Sequence, residues 1–277
     1  HIEAKPQVLS IPVRVESDQR VSASVVVDAQ ASLKPGESYA APRTFIAIYA
    51  GDFYEPLSMY SRTLARQGWK MPTPTNGDYE ANWCGWGYRS DVTPAQMLGT
   101  IPKIKELGFK WATLDYRWFN NFGDWEPRPE TFTQESIKKV VDEYHQQGIK
   151  VQLWWLPLAV SDGQPWEPIG PEERTAAARE QQKNPANVLK EHPDWLILDK
   201  SGKPARLFLN RAALCPALPG VQEYHRKLTE KFIRDWGFDG HKLDMCFTMP
   251  ACYNPKHNHR SPQESILAMG EVFKVIF

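Results

Sequence analysis

The fold is decided by the stretch GFDGHKLD at residues 237–244, in which a helix-ending glycine leads into a short apolar run closed by a carboxylate. The same order recurs at Gly108 and at Gly148, and each of these glycines also follows an amphipathic segment. Repeated signals for a helix, a stop and a strand predict consecutive strand–helix units, which build a parallel sheet. The sequence from residue 79 onward therefore indicates an α/β fold.

The residues that close these strands occupy equivalent positions in the repeat. Counting seven residues on from each glycine leads to Asp115, Trp155 and Asp244. We expect these side chains at similar depth, at the carboxyl ends of parallel strands, where α/β barrels and open sheets carry their chemistry.

Four strand–helix units are predicted between residues 79 and 277, beginning with a strand at residues 81–86. Apolar periodicity predicts helices over residues 93–108, 137–148, 219–237 and 262–277, with Pro102 expected to kink the first. A closed eight-stranded barrel needs about 250 residues. We therefore predict the N-terminal half of a (β/α)8 TIM-type barrel, and expect the chain to be a segment of a longer protein.

The first 52 residues have a different pattern, in which apolar residues alternate with polar ones. This alternation predicts β-strands, including one at Ile46 and Ile48, with a turn at residues 34–37. We interpret residues 1–52 as the end of an N-terminal β domain. Residues 53–78 are interpreted as a helical linker, with a helix near residues 55–67.

Composition narrows the classes of partner. Lys plus Arg and Asp plus Glu both number 33, and no basic run interleaved with aromatics is present, so we expect no nucleic acid partner. No apolar run reaches the length of a membrane span, and no membrane association is expected. Eleven Trp residues favour a carbohydrate cleft, although core packing uses the same residues. Compartment and oligomeric state are left open, with a homo-oligomer among the options.

Lys242 and Asp244 are the first candidates for chemistry. The period of two in a strand places both side chains on one face, toward the barrel axis. There the lysine would hold the aspartate ionised, as suits a nucleophile or a stabiliser of an oxocarbenium-like transition state. The alternative is a structural ion pair inside the barrel. Asp115 ends the second strand, and its alternative role is to cap the loop that follows.

Aromatic residues near the strand ends are candidates for contacts with sugar rings. One of Trp154 and Trp155 should face the cleft while the other packs on the helices. The segment at residues 123–125 could close the pocket, or could be a turn with an anchored tryptophan. Three further candidate substrate-binding residues are Trp83, Trp118 and Trp125.

Metal and cofactor sites are not expected. Cys252, His257 and His259 lie in a polar loop with irregular spacing, so zinc is disfavoured and no metal or organic cofactor is predicted. Cys246 and Cys252 are close enough in sequence to form a disulfide, and that pairing is left open. The sequence has neither a glycine-rich phosphate loop after a predicted strand nor a Gly-x-Ser-x-Gly elbow, which argues against nucleotide binding and serine hydrolase chemistry.

Five motifs together resemble a known family, the family 36 α-galactosidases, which are retaining glycoside hydrolases. In chain order they are LDYRWF at residues 114–119, GDW at 123–125, HQQGIK with LW at 145–154, HPDW at 192–195 and KLD at 242–244. The resemblance covers roughly residues 80 to 246. It also implies that residues 1–52 are the end of a β-sandwich, since that family places a sandwich before its barrel.

The resemblance implies a role for several residues. Asp244 corresponds to the nucleophile that forms a covalent glycosyl-enzyme intermediate, Lys242 to a residue that binds sugar hydroxyls, and Trp154 to the donor subsite. Asp115 matches the first of two aspartates that hold the sugar in the family, whereas residues 116–117 replace the second aspartate and a glycine. A family arginine corresponds to either Arg206 or Arg211.

The function implied by the resemblance is a retaining α-glycosidase that hydrolyses α-galactosides or related α-linked sugars without a cofactor. Its substrate would be an oligosaccharide or another glycoside. Alternatives are a transglycosylase of the same superfamily and a noncatalytic carbohydrate-binding protein. In the family the general acid lies two strands beyond the nucleophile, which is past Phe277. We therefore expect residues 1–277 alone to be inactive.

Overall fold

The computed structural model describes residues 9–27, 33–41, 44, 46–70, 73–165, 179 and 182–277. These residues belong to two compact units, which divide between Asp78 and Tyr79. Part of the predicted β domain lies outside the described residues, namely residues 1–8, 28–32, 42–43 and 45. Residues 71–72 of the predicted linker also lie outside them.

In the first unit, short strands form two antiparallel pairs. Strand β1 (Leu9–Ser10) pairs with β4 (Val26–Val27), and β2 (Val13–Val15) pairs with β3 (Val21–Ala23). The predicted turn is present, since the amide of Glu37 donates to the carbonyl of Lys34 at 3.0 Å.

Two sequence predictions about the first unit have opposite outcomes. Helix α1 (Tyr54–Arg66) forms as predicted and ends before Gly68, whose φ of +86° suits glycine. The strand predicted at Ile46 and Ile48 is wrong. The described residues 46–50 form no strand, and the two side chains are 91% and 95% exposed.

The second unit contains a four-stranded parallel sheet. Its strands are β5 (Asn82–Cys84), β6 (Trp111–Leu114), β7 (Lys150–Trp155) and β10 (Gly240–Leu243), and they lie side by side in chain order. Each is joined to the next through helical segments, as in a strand–helix barrel. The three strands predicted from the glycine repeat and the separately predicted first strand are all present.

The first crossover is built from two short helices, α2 (Pro94–Gly99) and α3 (Ile101–Glu106). Thr93 starts the crossover with a capping box, in which its hydroxyl accepts from the amide of Gln96. The predicted kink is a full break at Thr100, because Pro102 has no amide to continue the helical hydrogen bonds. Gly108, with φ of +71°, ends the crossover.

The remaining helices cover the sheet or pack on each other. Helix α4 (Gln134–Gln146) buries one face formed by Ile137, Val140, Val141 and Tyr144, which matches the predicted helical spacing. The other helices are α5 (Asn187–Glu191), α6 (Pro219–Glu230), α7 (Glu264–Leu267) and α8 (Met269–Ile276). Helix α8 packs against α6 through an apolar face that includes Val272 and Ile276.

The long connection between β7 and β10 carries an extra ribbon. Strand β8 (Ala159–Val160) pairs antiparallel with β9 (Ala212–Ala213), outside the parallel sheet. This excursion was not predicted, because two-residue strands leave no periodic signal. Within the described residues, no helix combines the length and the apolar character that crossing a membrane requires.

Candidate active site

A cavity of about 190 Å³ opens at the carboxyl ends of β6, β7 and β10. It is lined by Trp86, Asp115, Tyr116, Trp154, Lys242, Asp244 and Met245. Four of these residues are sequence candidates, contributed by three different strands. The parallel sheet therefore brings two carboxylates, one ammonium group and one indole to a single concave site.

The strand register sets the depth of each group in the cavity. Leu114 pairs with Leu153, and Lys242 pairs with Trp154, so Asp115 lies level with Lys242. Asp244 lies two residues further along β10, nearer the mouth. The glycine count predicted similar depth for the two aspartates, and the register shows that they differ by two residues, because the strands of a closing barrel are staggered relative to one another.

Asp115 and Lys242 form the inner part of the site. Lys242 Nζ lies 2.7 Å from Asp115 Oδ2, and the aspartate is only 2% exposed. The Cys84 thiol donates to the same oxygen at 3.1 Å, while the amide of Tyr116 donates to Oδ1 at 2.8 Å. Both carboxylate oxygens of Asp115 therefore accept hydrogen bonds.

These contacts shift the pKa values of the neighbouring groups. Burial, reinforced by the hydrogen bond to Asp115, raises the pKa of the Cys84 thiol and keeps it protonated. Burial alone would lower the pKa of Lys242, but the hydrogen bond and negative charge of Asp115 outweigh it and raise the pKa. The expectation that Lys242 serves Asp244 is therefore corrected: its ammonium group bonds to Asp115.

Asp244 is held by two other donors. Trp154 Nε1 donates to its Oδ2 at 2.9 Å, and the amide of Met245 donates to its Oδ1 at 2.7 Å. Met245 has a positive φ of 47°, a conformation that costs energy for a residue with a side chain and is often found at functional sites. The backbone turns sharply after the strand, which presents the carboxylate to the cavity.

Strands β5 and β6 supply the other polar side chains that point toward the barrel interior. Asn82 Nδ2 donates to Thr113 Oγ1 at 2.9 Å, which places both side chains on the barrel interior with Cys84. Because strand side chains alternate, Trp83 lies on the opposite face, where it packs against the apolar core. The structure thus does not bring Trp83 to the cavity, contrary to its selection as a substrate contact.

Trp118 and Trp125 are also outside the cavity. Both are buried in the core, where their rings lie 6.3 Å apart. Trp118 Nε1 donates to the carbonyl of Trp154 at 2.7 Å, so it supports the cavity wall from behind. These two residues were selected as substrate contacts because sequence alone does not distinguish a tryptophan that folds back into the core from one that faces a cleft.

The segment at residues 123–125 is a turn with an anchored tryptophan. Asp124 accepts hydrogen bonds from the amides of Asn187 and Val188 at 3.0 and 3.2 Å, and so caps helix α5. A Cβ added at Gly123 would lie 2.6 Å from Val160 Cγ2, which leaves no room for a side chain. The structure therefore supports the interpretation of this segment as a turn with an anchored tryptophan, and does not support pocket closure.

Three cavity residues were not selected from the sequence as contacts: Trp86, Tyr116 and Met245. Trp86 and Tyr116 meet edge to face at 5.9 Å, and Tyr116 meets Trp154 in the same way at 5.1 Å, which forms an aromatic wall. The available signal was position, since each residue lies at the carboxyl end of a predicted strand or directly after it. Trp155, by contrast, is buried against Phe232.

The two candidate arginines lie in different surroundings. Arg206 pairs with Asp162 at 2.7 Å and retains partial exposure. Arg211 is 2% exposed, stacks over Phe122 at 3.9 Å and reaches the sulfur of Met245 at 3.9 Å. Arg211 is therefore the one that adjoins the cavity lining.

Cys246 and Cys252 do not form the disulfide that was left open. All four cysteines are free, Cys246 is exposed, and Cys252 is buried with its sulfur 3.2 Å from His257 Nδ1. Partial desolvation of the sulfur nevertheless raises the pKa of Cys246 to about 11, and the nearby charge of Asp244 adds to that effect.

Comparison with known proteins places these features in a family. A galactosaminidase of Flavonifractor plautii, described as acting on A type blood α-D-galactosamine, is 30% identical over 265 residues, which are 91% of this chain and 22% of that protein. An α-galactosidase of Thermus thermophilus, TtGalA, has a TM-score of 0.55 at 20% identity, covering 82% of this chain and 40% of its own.

A second solved structure is the family 36 α-galactosidase AgaA of Geobacillus stearothermophilus, in complex with 1-deoxygalactonojirimycin. Its TM-score is 0.60 at 16% identity, and the match covers 96% of this chain and 36% of that one. The chain thus spans between about a fifth and two fifths of the length of these relatives. The likeness confirms the predicted TIM-barrel fold.

A family-level match covers most of the barrel unit. Residues 71–272 match the family described as glycosyl hydrolases family 31 TIM-barrel domain. The matched range contains all four parallel strands and every residue that lines the cavity. The chain therefore belongs to the glycosyl hydrolases that carry this TIM-barrel domain.

Proposed function

We propose that this chain supplies the nucleophile of a retaining α-glycosidase that acts on α-galactosides or related α-linked sugars. The observation that carries the proposal is the setting of Asp244 at the mouth of the cavity, with each carboxylate oxygen oriented by one donor. A preorganised carboxylate at a strand end is the arrangement that nucleophilic displacement at a sugar requires.

In the proposed reaction, an Asp244 oxygen attacks the anomeric carbon as the bond from that carbon to the leaving oxygen breaks. The leaving oxygen takes a proton from a general acid, which the family resemblance places beyond residue 277. Water then attacks the glycosyl ester, gives up a proton to the same acid–base group and releases Asp244. Retaining enzymes hold their two carboxyl groups about 5–5.5 Å apart.

Lys242 and Asp115 are proposed to bind the sugar's hydroxyl groups. An ammonium group has three donors; Asp115 Oδ2 accepts from one at 2.7 Å, and Cys84 Sγ accepts from a second at 3.5 Å. The lysine side chain is 37% exposed, so the remaining donor can reach the cavity. Asp115 is almost fully buried, and its proposed task is mainly to fix the position of the ammonium group.

Trp154 is proposed to act in two ways. Its indole Nε1 orients Asp244, and its ring forms part of the cavity wall with Tyr116. An aromatic wall next to hydroxyl-binding groups suits a sugar, which presents apolar C–H groups on one face and hydroxyls at its edge. Arg211 is proposed as the counterpart of the family arginine, because it contacts the cavity residue Met245.

The finer assignment to family 36 is part of the proposal. It is supported by the five motifs in sequence order and by AgaA, which is itself a family 36 enzyme. The preferred sugar is less constrained, because Tyr116 stands where the family has a second aspartate. The name of the Flavonifractor plautii relative adds α-galactosaminides to the substrates that a test should include.

The test is Asp244→Asn in the full-length protein, assayed with aryl α-galactosides and aryl α-galactosaminides. Turnover should fall by at least about a thousandfold, because removing a nucleophile abolishes the covalent route. Asp239→Asn is the matched control, since Asp239 immediately precedes the amino end of the same strand. Turnover by Asp244→Asn within about threefold of wild type would disprove the proposal. Product analysis with an added acceptor sugar separates hydrolysis from transglycosylation.

A further inference from the structure

We propose that Cys215, Cys252, His257 and His259 bind one zinc ion in a closed structural site. The sequence indicated no metal here, because three of these residues lie in a polar loop with irregular spacing. The fold supplies a fourth donor, Cys215, from a segment 37 residues before Cys252. Two thiols and two imidazoles form one of the usual donor sets for structural zinc.

The distances between donor atoms suit a tetrahedral ion. All four donor atoms lie within 4.8 Å of one another. Cys215 Sγ is 3.2 Å from His259 Nε2, and Cys252 Sγ is 3.2 Å from His257 Nδ1. Zinc bonds of about 2.0–2.3 Å separate tetrahedral ligands by roughly 3.5 Å. Closing the widest of these separations, at most 4.8 Å, to that value takes about 1.3 Å in total, which the two donor atoms of a pair share.

Both histidines point one nitrogen inward and the other toward an oxygen acceptor. His257 Nε2 lies 2.5 Å from the carbonyl oxygen of Asp194, which leaves Nδ1 for the metal. His259 Nε2 faces Cys215, and its Nδ1 lies on the side of Glu264, 3.8 Å from Oε2 and so beyond hydrogen-bond distance. Metal-binding histidines almost always have a second partner of the kind that His257 has, because it fixes the ring and its tautomer.

Burial indicates a structural rather than a catalytic ion. Cys215, Cys252 and His257 are buried, and the His259 side chain is 9% exposed. Four protein donors complete a tetrahedral shell and leave no position for water or substrate. Without a metal, two protonated thiols would face two imidazoles and would form only weak hydrogen bonds with them, in contrast to the bonds that zinc would form with all four groups.

The site would join two segments that are distant in sequence, and hydrogen bonds link both of them to a third segment at residues 194–195. Cys215 comes shortly before helix α6, and its amide donates to the carbonyl of Trp195 at 2.9 Å. Cys252, His257 and His259 lie in the connection between β10 and α7, which also contains Met245 of the cavity. The ion would therefore fasten the connection that leaves the nucleophile strand.

A Cys215–Cys252 disulfide is the main competing arrangement. It would use both sulfurs and leave the inward nitrogens of both histidines without the partners that they have at 3.2 Å. The competing arrangement predicts no metal and two fewer free thiols. Counting metal and thiols in the same sample therefore distinguishes the two.

The experiment measures zinc by elemental analysis in the full-length protein, purified without chelator, together with free thiols after denaturation without reductant. Cys252→Ser and His257→Gln should each lower the zinc content by about one ion per chain. Cys246→Ser is the matched control, because Cys246 is an exposed cysteine of the same connection and lies outside the cluster. It should keep the wild-type zinc content.

A second measurement covers the case in which the variants fail to fold. Wild-type protein is stripped by chelator and titrated with Co²⁺, which should give the intense thiolate charge-transfer and d–d bands of tetrahedral coordination, reversed by Zn²⁺. Equal zinc content in wild type and Cys252→Ser, a Cys215–Cys252 disulfide, or stripped protein that takes up neither ion would overturn the proposal. Activity is not the readout, so the result is independent of the proposed glycosidase function.

Discussion

Replacing Lys242 by methionine removes the ammonium group that lies 2.7 Å from the Asp115 carboxylate. The aspartate is 2% exposed, and it keeps only the contacts from Cys84 and the amide of Tyr116 that the structure shows on its two oxygens. Breaking a buried ion pair costs about 3–5 kcal/mol, whereas a hydrogen bond to a charged group contributes about 1.5–3 kcal/mol.

The expected loss lies at the lower end of these values. The Lys242 side chain is 37% exposed, so water can replace part of its interaction with Asp115. We expect Lys242→Met to lower the free energy of unfolding by about 2–3 kcal/mol. For a unit of roughly 200 residues, this corresponds to a Tm decrease of roughly 5–10 °C.

Calorimetry of the 277-residue chain measures this loss, with a double-mutant cycle as its control. In the Asp115→Asn background, Lys242→Met should cost at least about 1 kcal/mol less, because no buried charge is left unpaired. The reasoning would be refuted if Lys242→Met kept the wild-type Tm within about 1 °C, or if the two substitutions were simply additive.

The pH dependence of the pair has a definite sign. The pKa of Lys242 is raised above its ordinary value of 10.5 in the folded state, chiefly by Asp115 acting against the effect of burial. The stabilisation that protonated Lys242 gives the folded state is therefore fully present below its ordinary pKa of 10.5 and is lost as the pH rises through its pKa in the folded state. The Tm difference between wild type and Lys242→Met should be constant near neutral pH and should narrow as the pH rises through the alkaline range.

Three other substitutions have expected outcomes. Trp154→Phe removes the 2.9 Å bond to Asp244, so kcat/KM of the full-length enzyme should fall about 10–100-fold; an unchanged value would contradict the orienting role. His225 is buried, which lowers its pKa to about 4, so stability should decline from pH 6.5 toward 4, and His225→Gln should flatten this pH dependence in calorimetry. Gly123→Ala places a Cβ 2.6 Å from Val160 Cγ2 and should lower stability by about 1–3 kcal/mol in urea unfolding, whereas an unchanged midpoint would dispute this packing.

Much of the barrel was predictable because its signals are local. Gly108, Gly148 and Gly237 each adopt a positive φ after a helix, and each precedes a strand of the parallel sheet. Helix faces follow from the apolar spacing along the chain, and Thr93, at the start of the first predicted helix, is its N-cap, whereas the second helix begins earlier than predicted, after Thr133. The clustering of Asp115 and Asp244 follows in turn, because parallel strands end at the same edge.

The partners within the site were less predictable, because they depend on stagger between strands. Lys242 and Asp244 share one strand face, which suggested that they interact. The register instead sets Lys242 level with Asp115, a residue 127 positions earlier in the chain. Likewise, Trp118 and Trp125 pack inward because the segment after β6 folds back on the core, a tertiary effect without a local sequence signal.

The Cys and His cluster shows the same limit. Cys252, His257 and His259 were recognised in sequence as donors, but their spacing matched no metal motif. Cys215 joins them only through the packing of a distant segment. One short loop supplies three of the four donors, but their spacing alone did not indicate a site, because the fourth donor is brought in by the fold.

The most direct test of the central claim is to trap the glycosyl-enzyme intermediate and locate it by peptide mass spectrometry. The full-length protein would be inactivated with a fluorinated α-galactosyl donor, digested and sequenced, with Asp244→Asn as the control that should remain unlabelled. The account predicts one glycosyl group, attached to the Asp244 carboxylate. A sugar ester on any other carboxylate, Asp115 included, would contradict it.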